Sequence, residues 1–222
     1  MVEATYFSDV LCIWAYVAQA RVDEVRAVFG DEVQIAHRRV SLFGDTVAKF
    51  EDGWKDRGGF AGYAEHVRSI AARFPHAVLH PDAWQVVRPR SSLSPHLYLS
   101  AVAEWESTHR TAPRLADDLA WAFRLAFFAE ARDIGRRSVQ IEIAKTLGID
   151  TGAIAGLLES GAAHARLAAD HAAADKAKIE GSPTLVLNDG RQKLYGNVGF
   201  RVVEANIREL LRDPHPDQAS WC

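Results

Sequence analysis

A strand gives way to a helix in the stretch Ala4-Thr5-Tyr6-Phe7-Ser8-Asp9-Val10-Leu11-Cys12-Ile13-Trp14-Ala15-Tyr16. Residues 4–8 predict a short strand, because Thr, Tyr and Phe favour extended backbone. From Ile13 to Phe29, apolar residues recur at intervals of three and four, which indicates a helix that ends at Gly30. Cys12 therefore stands at a helix start, where free backbone N–H groups favour the reactive thiolate.

The segments on either side extend this pattern into a sheet. Residues 33–40 predict a second strand, so that strand, helix and strand form a βαβ unit with parallel strands. Near the other end of the chain, residues 184–187 predict a buried strand, 188–190 a tight turn and 191–195 its antiparallel partner. An amphipathic helix follows, from Phe200 to Leu211.

The long middle of the chain, residues 45–179, is rich in Ala, Leu, Glu and Arg and predicts an all-helical insertion. Helices are predicted from Ser94-Pro95 onward and over residues 115–131, 138–147 and 162–179. Asp150 and Thr151 can cap a further helix that follows them. Residues 45–60 and 75–93 are predicted to be loops. The element order βαβ, helical insertion, ββα therefore predicts an α/β fold with a mixed sheet.

Composition bounds the class of protein. The 222 residues are 48% hydrophobic and 25% charged, with a net charge of -3, which is typical of a globular protein and implies no affinity for nucleic acid or anionic membranes. The sequence contains no run of about 20 apolar residues, so no membrane-spanning helix is predicted. The start of the chain shows no secretory signal, so a cytoplasmic location is expected. Cys12 and Cys222 are too few and too far apart for a disulfide framework.

Two further segments bear on a site around Cys12. In Gly181-Ser182-Pro183-Thr184, a proline stands at the first position of a predicted strand, where it needs no ladder hydrogen bond and is a candidate for a cis peptide bond. The turn Tyr195-Gly196-Asn197-Val198-Gly199 points backbone N–H groups outward at the start of the last helix.

Together these segments resemble the DsbA-like class of thioredoxin-fold proteins. Within that class, the resemblance is to FrnE-type oxidoreductases, kappa-class glutathione transferases and 2-hydroxychromene-2-carboxylate isomerases. It rests on Asp9 and Cys12 with aromatic residues following, on the segment Gly181-Ser182-Pro183-Thr184 and on Tyr195-Gly196-Asn197. It extends over nearly the whole chain, to about Leu211.

The resemblance implies a thioredoxin fold in which residues 1–44 and 180–213 form a discontinuous domain, 45–179 the helical insertion and 214–222 a tail. It also implies that Cys12 faces a cis-Pro183 across a shallow groove that binds an extended thiol peptide or glutathione. The residues expected to bind there are Trp14, Tyr16, Ser182, Pro183, Thr184 and Asn197.

The chain departs from both branches of the family. Redox members carry a second cysteine three residues after the first, and this chain has Ala15 there. Isomerase and transferase members carry a catalytic serine, and this chain has Cys12 instead. They also carry an Asp-Arg pair in the last turn, where this chain has Val198-Gly199-Phe200-Arg201. A mixed disulfide on Cys12 would then need another resolving thiol. Glutathione is one candidate. Cys222 is the other, because a tail of about ten residues after Leu211 could span about 30 Å.

Three functions follow as hypotheses. The leading one is thiol–disulfide exchange at Cys12 with a small thiol or a disulfide-containing protein or peptide, with glutathione as co-substrate and no bound cofactor or metal. The second is a glutathione-dependent isomerase or transferase with an aromatic pocket drawn from Trp54, Trp84, Trp105 and Trp121. The third is a non-catalytic thiol- or peptide-binding module.

Each of these roles has a plainer structural alternative. Cys12 could be a buried apolar residue, Cys222 an incidental thiol at a frayed end, and the tryptophans core residues. Asp9 could tune the pKa of Cys12 or cap backbone N–H groups. Arg38 and Arg39 could bind a substrate carboxylate or form ordinary ion pairs. Related folds often form homodimers, although no segment of the sequence indicates an interface.

Overall fold

The computed structural model describes residues 1–109 and 114–212. A mixed four-stranded sheet is surrounded by helices. The strands are β1 (Val2–Ser8), β2 (Val33–Arg39), β3 (Thr184–Leu187) and β4 (Gln192–Tyr195). The helices are α1 (Ile13–Phe29), α2 (Gly59–Ala71), α3 (Leu93–His109), α4 (Leu115–Phe128), α5 (Arg137–Thr146), α6 (Thr151–Glu159), α7 (Ala162–Lys176) and α8 (Phe200–Leu211).

The sheet has the strand order β2-β1-β3-β4. β1 and β2 are parallel, and α1 crosses between them, while β3 runs antiparallel to both β1 and β4. The predicted α/β fold with a mixed sheet is confirmed. The pairing of Phe7 with Thr184 determines which segments meet at one edge of the sheet. It brings the end of β1 and the segment just before β3 to the same edge, although they lie far apart in sequence.

Helices cover both faces of the sheet. On one face, Val25 and Phe29 of α1 and Val203 and Ile207 of α8 pack on Val2, Ala4, Val33 and Leu187 of the strands. On the other face, Ala174 of α7 packs near Phe7, Val40 and Val186. These contacts bury the apolar faces that the sequence periodicity predicted for α1 and α8.

The helices between β2 and β3 pack against α1 in one continuous apolar core. Its centre is a group of aromatic rings in which the fully buried Trp84 lies 5.6 Å from Phe43 and 5.1 Å from Phe127, centroid to centroid. Because this core is shared, the domain bounds at residues 44/45 and 179/180 stay a prediction.

Several local predictions can be compared with the structure. Asp150 caps α6 as predicted, since its carboxylate accepts hydrogen bonds from the N–H groups of Gly152 and Ala153. α3 begins one residue before Ser94, because Ser92 accepts its first helical hydrogen bond from His96. α2 has no counterpart among the individual helices delimited from the sequence.

The predicted tail, residues 214–222, lies outside the described residues, and so does Cys222. No helix in the described ranges is long and apolar enough to cross a membrane.

Candidate active site

Cys12 is the residue that caps the N-terminus of α1, in extended backbone conformation. Its side chain is 5% exposed, and its thiol donates a hydrogen bond to the backbone carbonyl oxygen of Ser182 at an Sγ–O distance of 3.2 Å. The N–H of Cys12 donates to the carbonyl of Asp9 at 3.1 Å. The thiol is thus held at the junction of β1, α1 and the segment before β3.

The environment of Cys12 sets its protonation. Burial raises the pKa of the Cys12 thiol above 9.0, and the nearby Asp9 carboxyl raises it further. The Ser182 hydroxyl and the backbone N–H groups of Ala15 and Trp14 lower the pKa but do not cancel the effect of burial. The N–H groups at the helix start therefore favour the thiolate, as expected, but desolvation by burial has the larger effect, and the net pKa of Cys12 is raised.

Asp9 is a fully buried carboxyl that ties three segments together. One oxygen accepts from the N–H of Leu11 at 2.9 Å, and the other accepts from Leu42 and Phe43 N–H groups at 2.9 and 3.0 Å and from the Ser92 hydroxyl at 2.8 Å. Burial raises the pKa of Asp9 to about 6, against the lowering effect of these hydrogen bonds. Both roles considered for Asp9 occur, since it caps backbone N–H groups and also acts on the pKa of Cys12.

His96 completes this buried group. Its Nε2 accepts a hydrogen bond from the N–H of Val10 at 3.0 Å and lies 3.7 Å from an Asp9 oxygen. Burial, together with the charges of Arg39 and Arg124, places the pKa of His96 well below its ordinary value, so the ring is neutral. Sequence analysis did not single out His96, because a histidine in an apolar helix carries no local signal of its partners.

The segment before β3 supports the thiol from the other side. The Ser182–Pro183 peptide bond is cis. The Ser182 hydroxyl accepts the N–H of Asp9 at 2.9 Å, and the buried Thr184 hydroxyl donates to the carbonyl of Gly181 at 2.9 Å. A Cβ atom at Gly181 would contact the ring of the exposed Tyr195, which would have to shift.

The third predicted segment lies against the second. The N–H of Gly196 donates to the carbonyl of Pro183 at 2.8 Å. A surface groove of about 370 Å³ runs over this junction, lined by Trp14, Arg73, Phe74, Ser182, Tyr195, Gly196 and Asn197. The structure therefore brings Trp14, Ser182 and Asn197 together around one groove. Cys12 does not itself line this groove, but its thiol donates to the carbonyl of Ser182, which is a lining residue.

Other predicted site residues lie elsewhere. Tyr16 is buried in the core, where its ring stacks on Phe128 at 4.8 Å and its hydroxyl donates to the carbonyl of Val78. Arg73 and Phe74, which do line the groove, were not predicted, since they follow α2 and belong to no recognisable motif. The ring of Phe74 lies edge-on to Trp14 at 6.2 Å.

The four tryptophans proposed for an aromatic pocket belong to the shared apolar core, and none of them lines the groove. Trp84 is a core residue, Trp54 packs edge-on to Tyr63, Trp105 stacks on His109 and Trp121 stacks on Tyr16.

Neither a substrate-carboxylate role for Arg38 and Arg39 nor a metal site gains support from the geometry. Both arginines contact Asp170, at 3.1 and 3.6 Å, so both are ion-paired. Among the described residues, no group of three or more His, Cys, Asp or Glu side chains could hold a metal ion.

Comparison with known proteins adds the family. A model of the DSBA-like thioredoxin domain matches residues 4–208. No curated protein matches the chain significantly. A probable DsbA oxidoreductase from Streptomyces coelicolor is 20% identical, with a TM-score of 0.72 over 97% of this chain and 93% of that one.

Two other solved structures are similar over nearly their whole length. The cytosolic disulfide reductase DsbM from Pseudomonas aeruginosa, in a structure with GSH, is 18% identical, with a TM-score of 0.66 over 93% of this chain and 99% of that one. A 2-hydroxychromene-2-carboxylate isomerase is 18% identical, with a TM-score of 0.62 over 94% of this chain and 95% of that one. At these identities the likeness shows the fold, and it confirms the predicted thioredoxin fold.

Proposed function

The chain belongs to the DSBA-like thioredoxin domain family, and we propose that it is a thiol–disulfide oxidoreductase with Cys12 as its single nucleophile and glutathione as its co-substrate. The observation that carries this proposal is the position of the Cys12 thiol. It stands at the start of α1, in hydrogen-bond contact with Ser182, which also lines the adjacent groove. A buried cysteine of purely structural value would not need an open groove next to its hydrogen-bond partner.

The chemistry requires two exchanges. In the first, the Cys12 thiolate attacks the glutathione sulfur of a mixed disulfide, R–S–SG. A Cys12–SG bond forms, the S–S bond of R–S–SG breaks, and R–S⁻ leaves and takes up a proton. In the second, the thiolate of another glutathione attacks Cys12–SG, releases Cys12 and forms glutathione disulfide. Overall, R–S–SG and one glutathione give R–SH and glutathione disulfide. The substrate sulfur goes from the disulfide to the thiol level, one glutathione sulfur goes from the thiol to the disulfide level, and the number of S–S bonds is unchanged.

Glutathione is the proposed resolving thiol because position 15 holds Ala15 and offers no second sulfur. The groove suits a small anionic peptide, since Arg73 supplies a cation and the rings of Trp14 and Phe74 supply apolar surface. The structure of DsbM with GSH supports a glutathione ligand in this family. The same relative, named as a cytosolic enzyme, supports the proposal of a cytoplasmic location.

The resting thiol must lose a proton before it can attack. Because burial raises the pKa of Cys12, only a small fraction is thiolate at neutral pH. The rate of exchange is therefore expected to rise with pH between 7 and 9, about tenfold per pH unit. The Ser182 hydroxyl and the N–H groups of Trp14 and Ala15 are the groups that would stabilise the thiolate once it forms.

A glutathione-dependent isomerase or transferase is the second candidate. The observation that favours it is that Cys12 is a protonated hydrogen-bond donor, which could donate to a glutathione sulfur without forming a covalent bond. The two candidates differ in one intermediate. Only the oxidoreductase forms a Cys12–glutathione disulfide, which intact-protein mass spectrometry detects after brief reaction with a glutathionylated peptide.

The decisive experiment measures deglutathionylation of such a peptide by wild type, Cys12→Ser and Cys222→Ser. Cys12→Ser should fall to the uncatalysed rate while it keeps the wild-type circular dichroism spectrum and unfolding temperature. Equal rates in wild type and Cys12→Ser would refute the proposal.

A further inference from the structure

A second, smaller cavity lies on the other side of the end of β1. Its polar lining consists of Ser8, His37, Arg38, Arg39, His96 and Arg124. Its volume is about 10 Å³, which is enough for one water-sized particle. It shares no lining residue with the groove next to Cys12. It is therefore a distinct cavity, and the inference drawn from it does not rest on the proposed function.

Arg124 is the most informative residue of this cavity. Its side chain is buried, at 3% exposure, and one terminal nitrogen donates to the Ser8 hydroxyl at 2.9 Å. Its Nε–H group has no hydrogen-bond partner, and no carboxylate in the described part of the chain forms an ion pair with it. A buried guanidinium in this state lacks a counter-charge.

His96 supplies a second donor without an acceptor. Because its Nε2 accepts the N–H of Val10, its Nδ1 carries the proton. Nδ1 is buried and has no partner within residues 1–109 and 114–212. Two orphaned N–H donors thus belong to side chains that line the same cavity.

The acidic groups near this cavity are already paired with other arginines. Asp117 is engaged by Arg26 at 2.9 Å, and Asp170 by both Arg38 and Arg39. Neither carboxylate pairs with Arg124. The cavity lining contains three arginines, two histidines and no acidic side chain in the part of the chain that the structure describes.

We propose that this cavity binds a single monatomic anion of the size of chloride, held by the Nε–H of Arg124 and the Nδ1–H of His96. The small volume favours a monatomic anion over phosphate, sulfate or the carboxylate of a larger ligand. A water molecule would fit by size and could accept the two N–H groups, but it would leave the positive charge of Arg124 uncompensated. The anion would tie the end of β1 to α3 and α4 immediately before Asp9.

Thermal unfolding tests this proposal. Wild type is compared in sodium chloride and in sodium gluconate at equal ionic strength, so that general screening is the same in both. The chloride sample should unfold about 3 °C or more higher when chloride exceeds its dissociation constant about tenfold. Arg124→Gln should abolish the difference, whereas Arg68→Gln, at a half-buried arginine that pairs with Glu65 away from the cavity, should retain it.

A second variant keeps the proposal testable if Arg124→Gln does not fold. Ala120→Val adds methyl groups to the wall of the cavity and leaves Arg124 in place. It too should remove the chloride effect. Bromide soaked into crystals of the wild type should give one anomalous peak between Arg124 and His96.

Equal unfolding temperatures in the two salts, or a chloride effect that survives in Ala120→Val, would overturn the proposal. So would a bromide peak without any chloride dependence in solution, which would mean an adventitious ion only.

Discussion

The Cys12 thiol donates to the backbone carbonyl of Ser182 at 3.2 Å, across 170 residues of sequence. Ser182 makes a second contact with the same segment, because its hydroxyl accepts a hydrogen bond from the N–H of Asp9 at 2.9 Å. The start of α1 and the segment before β3 are therefore fixed to each other at Ser182, which also lines the groove.

Removal of the Ser182 hydroxyl should weaken the fold and raise the pKa of Cys12. In Ser182→Ala the buried N–H of Asp9 loses its acceptor, which should cost about 1–3 kcal/mol of stability in urea unfolding. Because that hydroxyl lowers the pKa of Cys12, the pH midpoint of iodoacetamide alkylation should move upward. Ser107→Ala, at an exposed serine, serves as the control. An unchanged or lower midpoint in Ser182→Ala would contradict the role assigned to the hydroxyl.

Protonation of Asp9 should stabilise the fold at acid pH. Its pKa rises from 3.8 to about 6 on burial, so between these values the folded state binds more protons than the unfolded state. The stabilisation is complete below pH 3.8 and is lost as the pH rises through about 6, by roughly 3 kcal/mol.

Urea unfolding at stepped pH measures this effect against Asp9→Asn, which cannot titrate. The stability of wild type minus that of Asp9→Asn should fall between pH 3.8 and 7. The Asp31→Asn variant, at an exposed aspartate, is the control: it measures how the loss of one carboxylate changes stability when that carboxylate is not buried. A difference that stays level, or rises with pH, would show that Asp9 is not buried as a neutral acid.

Cys222→Ser should keep full turnover when glutathione is the only other thiol present. The reason is that, in the proposed function, glutathione bound in the groove lined by Ser182 is the resolving thiol, so no second protein thiol is needed. Peptide mass mapping without reductant, after mild oxidation, should find glutathione on Cys12. Recovery of a Cys12–Cys222 linked peptide together with lost turnover in Cys222→Ser would assign resolution to Cys222 instead.

Arg73→Gln should weaken glutathione binding about fivefold in calorimetry, because an exposed charged contact of this kind contributes up to about 1 kcal/mol. Arg68→Gln is a matched control, since Arg68 pairs with Glu65 and does not line the groove. Equal weakening in both variants would mean that the effect is one of net charge alone.

Much of the fold could be predicted because its signals are local. The apolar period of α1 and α8, the Asp150 cap and the short β-branched run of β3 are each encoded within a few residues. The same holds for Cys12 and for Pro183, whose positions at element boundaries are visible in the chain. By contrast, Arg73 and Phe74 reach the groove only through the packing of α2, which no local pattern describes.

The sequence by itself determined the order of the elements, the mixed sheet and the three segments that meet at the site. Only the tertiary structure decided the properties of the site. Burial outweighed the effect of the helix-start N–H groups on the pKa of Cys12, made Asp9 a shared acceptor and left Arg124 without a carboxylate. The physical reason is that secondary structure depends on neighbours along the chain, whereas desolvation and charge pairing depend on every element packed around a group.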